Sequence, residues 1–238
     1  MFFQDLFVYI LLLAGIILSI NRKKLTLSAA IIAGFVGLLV YRGAGLTGLA
    51  MLVMFFLLGS FATSLFIIKK QQLCISEENS TQRTTGQVIA NGGVAAILGA
   101  IAWYKPSYAP LLQLMIAGSL ASATADTLSS ELGSVYGRKF YDILSFRKSN
   151  PGPDGVISLE GTLIGIVGAI LIAFVYEIGF GFNYYLFFIV VAGTVGNLMD
   201  SFLGATLERK NFIGNNAVNF FNTAAGALVC WVLDIIVK

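Results

Sequence analysis

Long apolar runs recur along the whole chain, and they set the strongest limit on what it can fold into. Each is about 16–24 residues long, enough for an α-helix to cross the ~30 Å hydrocarbon core of a bilayer. Only 11% of the residues are charged and 57% are hydrophobic, whereas soluble domains carry ~25% charged residues. The weak alternation typical of membrane barrels is missing. The sequence therefore predicts an all-α polytopic membrane protein with one integral membrane domain over residues 1–238.

These runs predict about eight spans. Their approximate bounds are Phe2–Ile20, Leu25–Tyr41, Leu46–Ile68, Gln87–Tyr104, Ala109–Leu132, Leu159–Tyr176, Asn183–Ala205 and Ala217–Val237. The first three spans, within residues 1–70, are expected to be peripheral, and residues 84–228 are expected to hold the functional site. The 26 glycines suit close packing between helices in lipid.

The basic residues predict the orientation of the spans. If the N-terminus lies outside, twelve of the 15 Lys and Arg residues fall in inside loops and only Arg42, Lys105 and Lys238 fall outside, a strong positive-inside bias. The same bias accounts for the net charge of +3, so no nucleic-acid partner is inferred. A basic cluster at residues 22–24 follows the first run, whereas a signal peptide has its positive end first. The first run is therefore expected to be retained, in the cell membrane or in an organelle membrane of a eukaryote.

Two apolar segments end in an acid, at Asp126 and Asp200. An ionisable residue inside a membrane span is costly, so it usually marks a functional site. The predicted orientation puts both acids at the cytoplasmic face. The same face receives further acids and amides, namely Asn91, Glu131, Asp154, Glu160, Asn197, Glu208, Asn215, Asn216 and Asn219. A transport pathway would place such groups near the midplane, whereas this arrangement is typical of chemistry at the cytoplasmic surface.

The candidate ligands for Mg²⁺ are Asp126, Glu131 and Asp200. Mg²⁺ usually takes one or two carboxylates, several waters and the phosphates of a substrate. Hydroxyl and amide groups lie near these acids in the sequence, at Ser130, Asn197 and Ser201. The alternative is that each acid lies at the end of a span and faces water, and that the hydroxyls only cap backbone groups. The presence of two such acidic segments favours a functional interpretation.

Two basic loops could neutralise a phosphate. Arg147 and Lys148 precede a Pro- and Gly-rich turn that contains Asp154, and Glu160 follows at the start of the next span. Lys210 lies in the next inside loop. Tight turns and helix N-termini suit anions, but inside loops are basic in any case.

Three amides share one face at the start of the last span. Asn215, Asn219 and Asn222 are spaced at i, i+4 and i+7, which places them on the same side of a helix. They could bind a phosphate, a sugar or a base edge. Hydrogen bonds between helices, which also use Asn in bilayers, explain the stripe equally well.

An internal repeat is also compatible with the spacing. Gly86 lies 40 residues before Asp126, and Gly161 lies 39 residues before Asp200. Each half would be a pair of spans that enters from the cytoplasm and returns to an acid, which makes the repeat parallel. Chance similarity between Gly-rich helices is the competing explanation.

Several enzyme classes are disfavoured. Histidine is absent, so no step can use imidazole as a base or metal ligand. The sequence also lacks the P-loop, dinucleotide-binding, zinc-protease and serine-hydrolase motifs. Cys74 and Cys230 are far apart and form no C-x-x-C pair, so neither a disulfide nor a zinc site is predicted.

The motifs taken together resemble a known family. They are Gly86-Gln-Val-x-Ala-Asn-Gly-Gly, Ala-Thr-Ala-Asp126-Thr-x-x-Ser-Glu131-Leu-Gly, Gly155 with Gly161-Thr, Gly196-Asn-x-x-Asp200-Ser-x-x-Gly-Ala-Thr and Asn216-x-x-Val-Asn219-Phe. Over about Thr84–Leu228 the chain is similar to the DUF92, or transmembrane protein 19, family, which includes the phytyl-phosphate kinases of plants and cyanobacteria. The turn at Pro151–Gly155 departs from the family pattern, which is richer in Ser, Thr and Gly.

The resemblance implies phosphoryl transfer from a nucleoside triphosphate, with CTP favoured, to an isoprenyl monophosphate. Asp126 and Asp200 would hold Mg²⁺ with help from Glu131. Phosphates would be neutralised by Lys148, Arg147 or Lys210. The expected substrate- or nucleotide-binding residues are Asn91, Ser130, Asp154, Glu160, Asn197, Ser201, Asn215, Asn216 and Asn219.

Two alternatives remain open. A cytidylyltransferase or a lipid-alcohol kinase would use the same metal site and differ only in its product. A transporter or lipid flippase would move its substrate without consuming nucleotide.

Overall fold

The structure is a computed structural model that describes residues 2–72 and 82–238. Within this range, the side chains of Phe2 and of residues 65–72 are not described. Cys74 lies outside the described residues, and so do the side chains of Lys69 and Lys70, which contribute to the predicted charge bias.

Helices make up most of the described chain. They are α1 (Phe2–Asn21), α2 (Leu27–Gln72), α3 (Thr85–Tyr104), α4 (Ala109–Tyr136), α5 (Leu159–Phe180), α6 (Tyr185–Leu203) and α7 (Asn215–Val237). A 3₁₀ turn, Pro106–Tyr108, precedes α4, and a π-helical turn, Gly204–Glu208, follows α6. In the described ranges, seven helices are long and apolar enough to cross a membrane, which confirms the predicted fold class.

Helix α2 supplies two of the predicted spans because it folds back on itself. Its 46 residues would extend ~69 Å as a straight helix. Gly45 has φ 62° and ψ −156°, a conformation that suits a residue without a side chain. On either side of this break the two halves are in contact, since Leu49 and Leu52 lie against Gly37. We refer to this element as the α2 hairpin.

The centre of the bundle is α4, which packs against α2, α3, α5, α6 and α7. Small residues allow this close approach in lipid. A Cβ on Gly226 of α7 would lie 2.5 Å from the carbonyl oxygen of Gly118. Likewise, Gly196 of α6 lies directly against the side chain of Ser122. A Cβ at this position would lie 3.1 Å from the Asn222 carbonyl oxygen. These contacts fix α4, α6 and α7 around one another.

Two helices begin with a hydroxyl cap. Thr84 accepts a hydrogen bond from the backbone of Gln87 and completes a capping box at α3, and Ser158 accepts one from the Gly161 N–H at α5. Such caps satisfy backbone donors that have no partner inside the helix. Each cap lies at the start of the first helix in one half of the predicted repeat. The repeat itself stays a prediction.

A small sheet connects α4 to α5, where the sequence predicted only a tight turn. Its strands are β1 (Phe140–Asp142), β2 (Lys148–Ser149) and β3 (Val156–Ser158), antiparallel in the order β2-β1-β3. Just before β3, Gly155 has φ 74° and approaches the end of α6, where a Cβ would lie 2.6 Å from the Ser201 carbonyl oxygen. This close approach places the sheet segment, residues 140–158, over the end of the bundle.

Asp142 holds the sheet segment to the turn after α6. Its carboxylate accepts hydrogen bonds from the backbone N–H groups of Leu144 at 3.1 Å and Ser145 at 2.9 Å. Arg209 donates to the same carboxylate at 2.6 Å. The Ser145 N–H, followed by the Arg209 guanidinium, lowers the pKa of Asp142 to about 2. The ionised form of Asp142 therefore stabilises this attachment.

Asp142→Asn should release the sheet segment at neutral pH. The amide keeps the size of the side chain but loses the charge that attracts Arg209. Limited proteolysis in detergent should cut residues 140–158 several times faster than in the wild-type protein, while the melting temperature of the helices stays nearly unchanged. Equal cleavage rates would show that the carboxylate does not hold the segment.

The wild-type protein should show the same release in acid. Because the folded-state pKa lies below the ordinary value of ~3.9, the carboxylate contributes fully above about pH 4 and its contribution is lost as the pH falls towards 2. Pepsin, which is active in this range, should cleave the segment increasingly between pH 4 and pH 2. Asp142→Asn should lack this dependence.

Candidate functional site

A cavity of about 460 Å³ lies beneath the sheet segment at one end of the bundle. Its walls come from α3, α4, α6, the π-helical turn, α7 and the sheet segment, with Thr63 of the α2 hairpin. Ten predicted site residues line it: Asn91, Asp126, Ser130, Glu131, Asp154, Asn197, Asp200, Ser201, Asn215 and Asn219. The fold thus gathers most of the candidates, while their functional roles stay predictions.

The carboxyl groups of Asp126 and Asp200 lie within hydrogen-bond reach of each other. Asp200 stands near the end of α6, but Asp126 lies ten residues before the end of α4. The predicted span Ala109–Leu132 put Asp126 six residues before its end, and because α4 continues to Tyr136, Asp126 lies deeper inside the helix than the sequence predicted. Two carboxylates this close repel each other unless they share a proton or a cation.

A buried hydrogen-bonded chain orients Asp200. The Nδ2 group of Asn222 donates to Asp200 Oδ1 at 2.9 Å, and the Ser122 hydroxyl donates to Asn222 Oδ1 at 2.7 Å. Asn222 is fully buried. Of the three amides in the predicted stripe, Asn222 forms hydrogen bonds between helices, which is the alternative to ligand binding given above.

The other two amides of the stripe line the cavity. Asn219 Nδ2 donates to Asn215 Oδ1 at 3.2 Å. On α3, Asn91 donates from Nδ2 to the Gln87 carbonyl oxygen at 3.0 Å. Its Oδ1 is buried without a hydrogen-bond partner among the described residues. A buried polar atom of this kind is costly, so Asn91 offers an acceptor to a molecule in the cavity.

The Asp126–Asp200 pair fits Mg²⁺, which needs only one or two carboxylates when waters and phosphates complete its shell. The third predicted ligand is not placed with the pair. Glu131 Oε1 accepts a hydrogen bond from Thr63 at 3.1 Å. The described part of the chain contains no group of three or more His, Cys, Asp or Glu residues that could hold a metal ion. Mg²⁺ itself stays a prediction.

Five predicted residues do not line the cavity. They are Arg147, Lys148, Glu160, Lys210 and Asn216. Arg147, Lys148 and Lys210 are exposed, and Lys148 pairs with Tyr141 in the sheet. Asn216 packs against Gly86 at the start of α3. The predicted phosphate-binding cations therefore do not belong to the cavity lining.

Cavity residues that were not among the predicted site residues include Thr63, Arg83 and Glu208, although the sequence did place Glu208 at the same face. Thr63 lies in a span that was expected to be peripheral. Glu208 ends the π-helical turn, a feature often found at functional sites. Arg83 directly precedes the N-cap of α3, and a basic residue beside a capping box could have drawn attention to it.

Comparisons with known proteins agree with the membrane architecture. A family model described as "Integral membrane protein DUF92" matches residues 10–227, so the match includes the N-terminal spans. An uncharacterized membrane protein of Methanocaldococcus jannaschii is 33% identical over 232 residues, 94% of this chain and 92% of that protein. "Protein VTE6, chloroplastic" of Arabidopsis thaliana is 27% identical over 217 residues, 88% of this chain and 65% of that protein. No solved structure matches the chain.

Mg²⁺ should stabilise the protein through the carboxylate pair. A ligand present at 100 times its Kd stabilises by ~2.7 kcal/mol, which for a chain of this size corresponds to a rise in melting temperature on the order of 5 °C. Differential scanning fluorimetry in detergent should show this rise for the wild-type protein. Asp126→Asn and Asp200→Asn should lose it, because each removes one carboxylate.

A matched control is Asp5→Asn at the opposite end of the bundle. Asp5 bonds to Tyr41, so its loss should lower the melting temperature equally with and without Mg²⁺. A full Mg²⁺ response in Asp126→Asn or Asp200→Asn would rule out the pair as the metal site.

Proposed function

Because the chain belongs to the DUF92 family of integral membrane proteins, we propose that it is a kinase that phosphorylates an isoprenyl monophosphate. The substrate would be phytyl or geranylgeranyl phosphate, the product the diphosphate, and the preferred donor CTP. The family includes phytyl-phosphate kinases, and one observation in this chain carries the proposal: the paired carboxyl groups of Asp126 and Asp200 in a polar cavity at the end of a membrane bundle.

The reaction requires positioning and charge compensation more than covalent help from the protein. An oxygen of the isoprenyl phosphate attacks the γ-phosphorus of the nucleotide. The new O–P bond forms as the bond to the β-phosphate oxygen breaks, which leaves a nucleoside diphosphate. The attacking group is already an anion, so no strong base is required. This agrees with the absence of histidine from the sequence.

We assign the steps of binding and charge compensation to individual residues. Asp126 and Asp200 would hold Mg²⁺, which when bound neutralises phosphate charge. Asn222 keeps the Asp200 carboxylate in place through its 2.9 Å hydrogen bond. Asn91 and Asn219 line the cavity and would hydrogen-bond the nucleotide or the acceptor phosphate. Residues 151–158 of the sheet segment form part of the cavity wall, and we expect them to limit the access of water, which would protect the transferred group from hydrolysis.

The site is proposed to face the cytoplasm. Arg209 and the other basic residues of the loops around the sheet segment lie at the cavity end, whereas Arg42 bonds to Tyr9 and Asp5 at the other end. This distribution follows the positive-inside rule. The isoprenyl tail would lie between the spans with its phosphate in the cavity.

Turnover of the purified protein tests the proposal directly. With Mg²⁺ in detergent, CTP and phytyl or geranylgeranyl phosphate should yield the isoprenyl diphosphate and CDP, as detected by mass spectrometry, and ATP, GTP and UTP should be poorer donors. Asp126→Asn and Asp200→Asn should reduce kcat/KM by ~100- to 1000-fold, as expected when charge compensation in the transition state is lost. Asp5→Asn should keep the wild-type rate.

Other products would replace the proposal with a defined alternative. A nucleotide–lipid adduct with released pyrophosphate would indicate a cytidylyltransferase, and phosphorylation of free phytol a lipid-alcohol kinase. If well-folded protein turns over no donor, flux of isoprenyl phosphate into liposomes would instead indicate a transporter or flippase.

Cysteine labelling should establish which end faces the cytoplasm. In a background with Cys74→Ser and Cys230→Ala, we expect Asn150→Cys, in the sheet segment, to react with an impermeant maleimide only after the membrane is opened. Tyr104→Cys, which is 82% exposed at the other end, should react in intact cells. The reverse pattern would place the site outside.

A further inference from the structure

The charge balance of the cavity singles out one residue. Five acids line the cavity, at Asp126, Glu131, Asp154, Asp200 and Glu208. Of the lining residues that the structure describes, Arg83 alone is a Lys or Arg. A site that binds phosphates beside carboxylates needs positive charge, and the cations predicted from the loops do not reach it.

The backbone of Arg83 is held in place by the segment that precedes the α2 hairpin. The Arg83 N–H donates to the Lys24 carbonyl oxygen at 2.9 Å, and the Thr26 N–H donates to the Arg83 carbonyl oxygen at 3.2 Å. Any residue except proline could make these bonds, so they do not depend on the arginine side chain. Substitution of Arg83 should therefore leave the local fold intact.

The Arg83 guanidinium packs between two residues of the α2 hairpin. It lies over the ring of Phe55, 5.2 Å from the centroid, where a cation is attracted by the aromatic face. Its Nη2 group fills the space beside Gly59 that a Cβ would occupy. The side chain is thus fixed by its surroundings and points into the cavity wall near Thr127.

Burial lowers the pKa of Arg83, and the nearby Glu131 carboxylate opposes this shift. Arginine nevertheless remains protonated in proteins. A guanidinium has five N–H donors, and a bidentate carboxylate uses two of them. The same group can therefore face Glu131 and also bind a second anion.

We propose that Arg83 binds a phosphate group in the cavity and so provides the cation that complements the Asp126–Asp200 pair. The inference deepens the proposed function and rests on it for the identity of the molecule that carries the phosphate. Arginine suits this role because its planar fork matches two phosphate oxygens, unlike the point charge of lysine. The competing explanation is that Arg83 serves only as the structural partner of Glu131.

Binding of inorganic pyrophosphate to the full-length protein in detergent, measured by calorimetry with Mg²⁺ present, separates these explanations. Arg83→Gln should weaken binding at least ~10-fold, and Arg83→Lys should restore part of the affinity. The control is Arg138→Gln, the same change at an exposed residue outside the cavity lining, which should bind as the wild type does.

A second variant displaces the guanidinium without removing its charge. Gly59→Ala puts a methyl group where Arg83 Nη2 now lies and 3.2 Å from Thr127 Cγ2, so the guanidinium has to move. Alanine is a better helix former than glycine, so the helix itself should remain intact. We expect Gly59→Ala to weaken pyrophosphate binding several-fold. Gly15→Ala, at a helical position where a Cβ would meet nothing within 4 Å beyond its own stretch of helix, should have no effect.

Affinity and stability together decide the outcome. A binding role predicts a loss of affinity in Arg83→Gln and Gly59→Ala with little change in the melting temperature of the ligand-free protein. Wild-type affinity in both variants, or no pyrophosphate binding by the wild-type protein, would overturn the inference.

The result is independent of turnover. If Arg83 is needed for pyrophosphate binding but the protein phosphorylates no isoprenyl phosphate, the inference stands and the proposed function fails. If the kinase reaction is found and Arg83→Gln keeps the wild-type KM and kcat, the proposed function stands and the inference fails.

Discussion

The whole structure depends on keeping two carboxyl groups side by side at the end of a membrane bundle. Asp126 and Asp200 come from α4 and α6, and charges held this close in a low-dielectric region are costly. The glycine contacts that lock α4 against α6 and α7 fix the positions of both acids. The buried chain from Ser122 through Asn222 then orients Asp200. Helix packing and buried hydrogen bonds thus both position the Asp126–Asp200 pair.

The two ends of the bundle treat their acids differently. At the end away from the cavity, the acids meet local donors: Asp5 accepts from Tyr41, Asp234 from Tyr185 and Lys238, and Glu177 from the Asn183 N–H. At the cavity end, the acids line a space of about 460 Å³ under the sheet segment. At one end the acids connect helices, and at the other they line the cavity, which is the arrangement that the proposed function requires.

How far the sequence predicted this structure depends on the range of the interactions. Local composition and helical periodicity predicted the span lengths, the break near Gly45 and the gathering of amides and acids at one end. They are reliable guides here because a chain that crosses a bilayer has to be helical to satisfy its backbone groups. The sheet segment depends on tertiary contacts, such as Gly155 against Ser201, that no local pattern reveals. Charge runs in loops were the weakest guide, because orientation in the membrane explains them equally well.

The α2 hairpin has a consequence for how the protein is built during synthesis. Its fold at Gly45 returns the chain to the side where residues 24–26 pair with Arg83. Translation proceeds from the N-terminus, so Phe55 and Gly59 emerge before α4 brings its acids. We therefore expect Arg83 and its contacts with Phe55 and Gly59 to be in place before α4 brings Glu131 into the membrane.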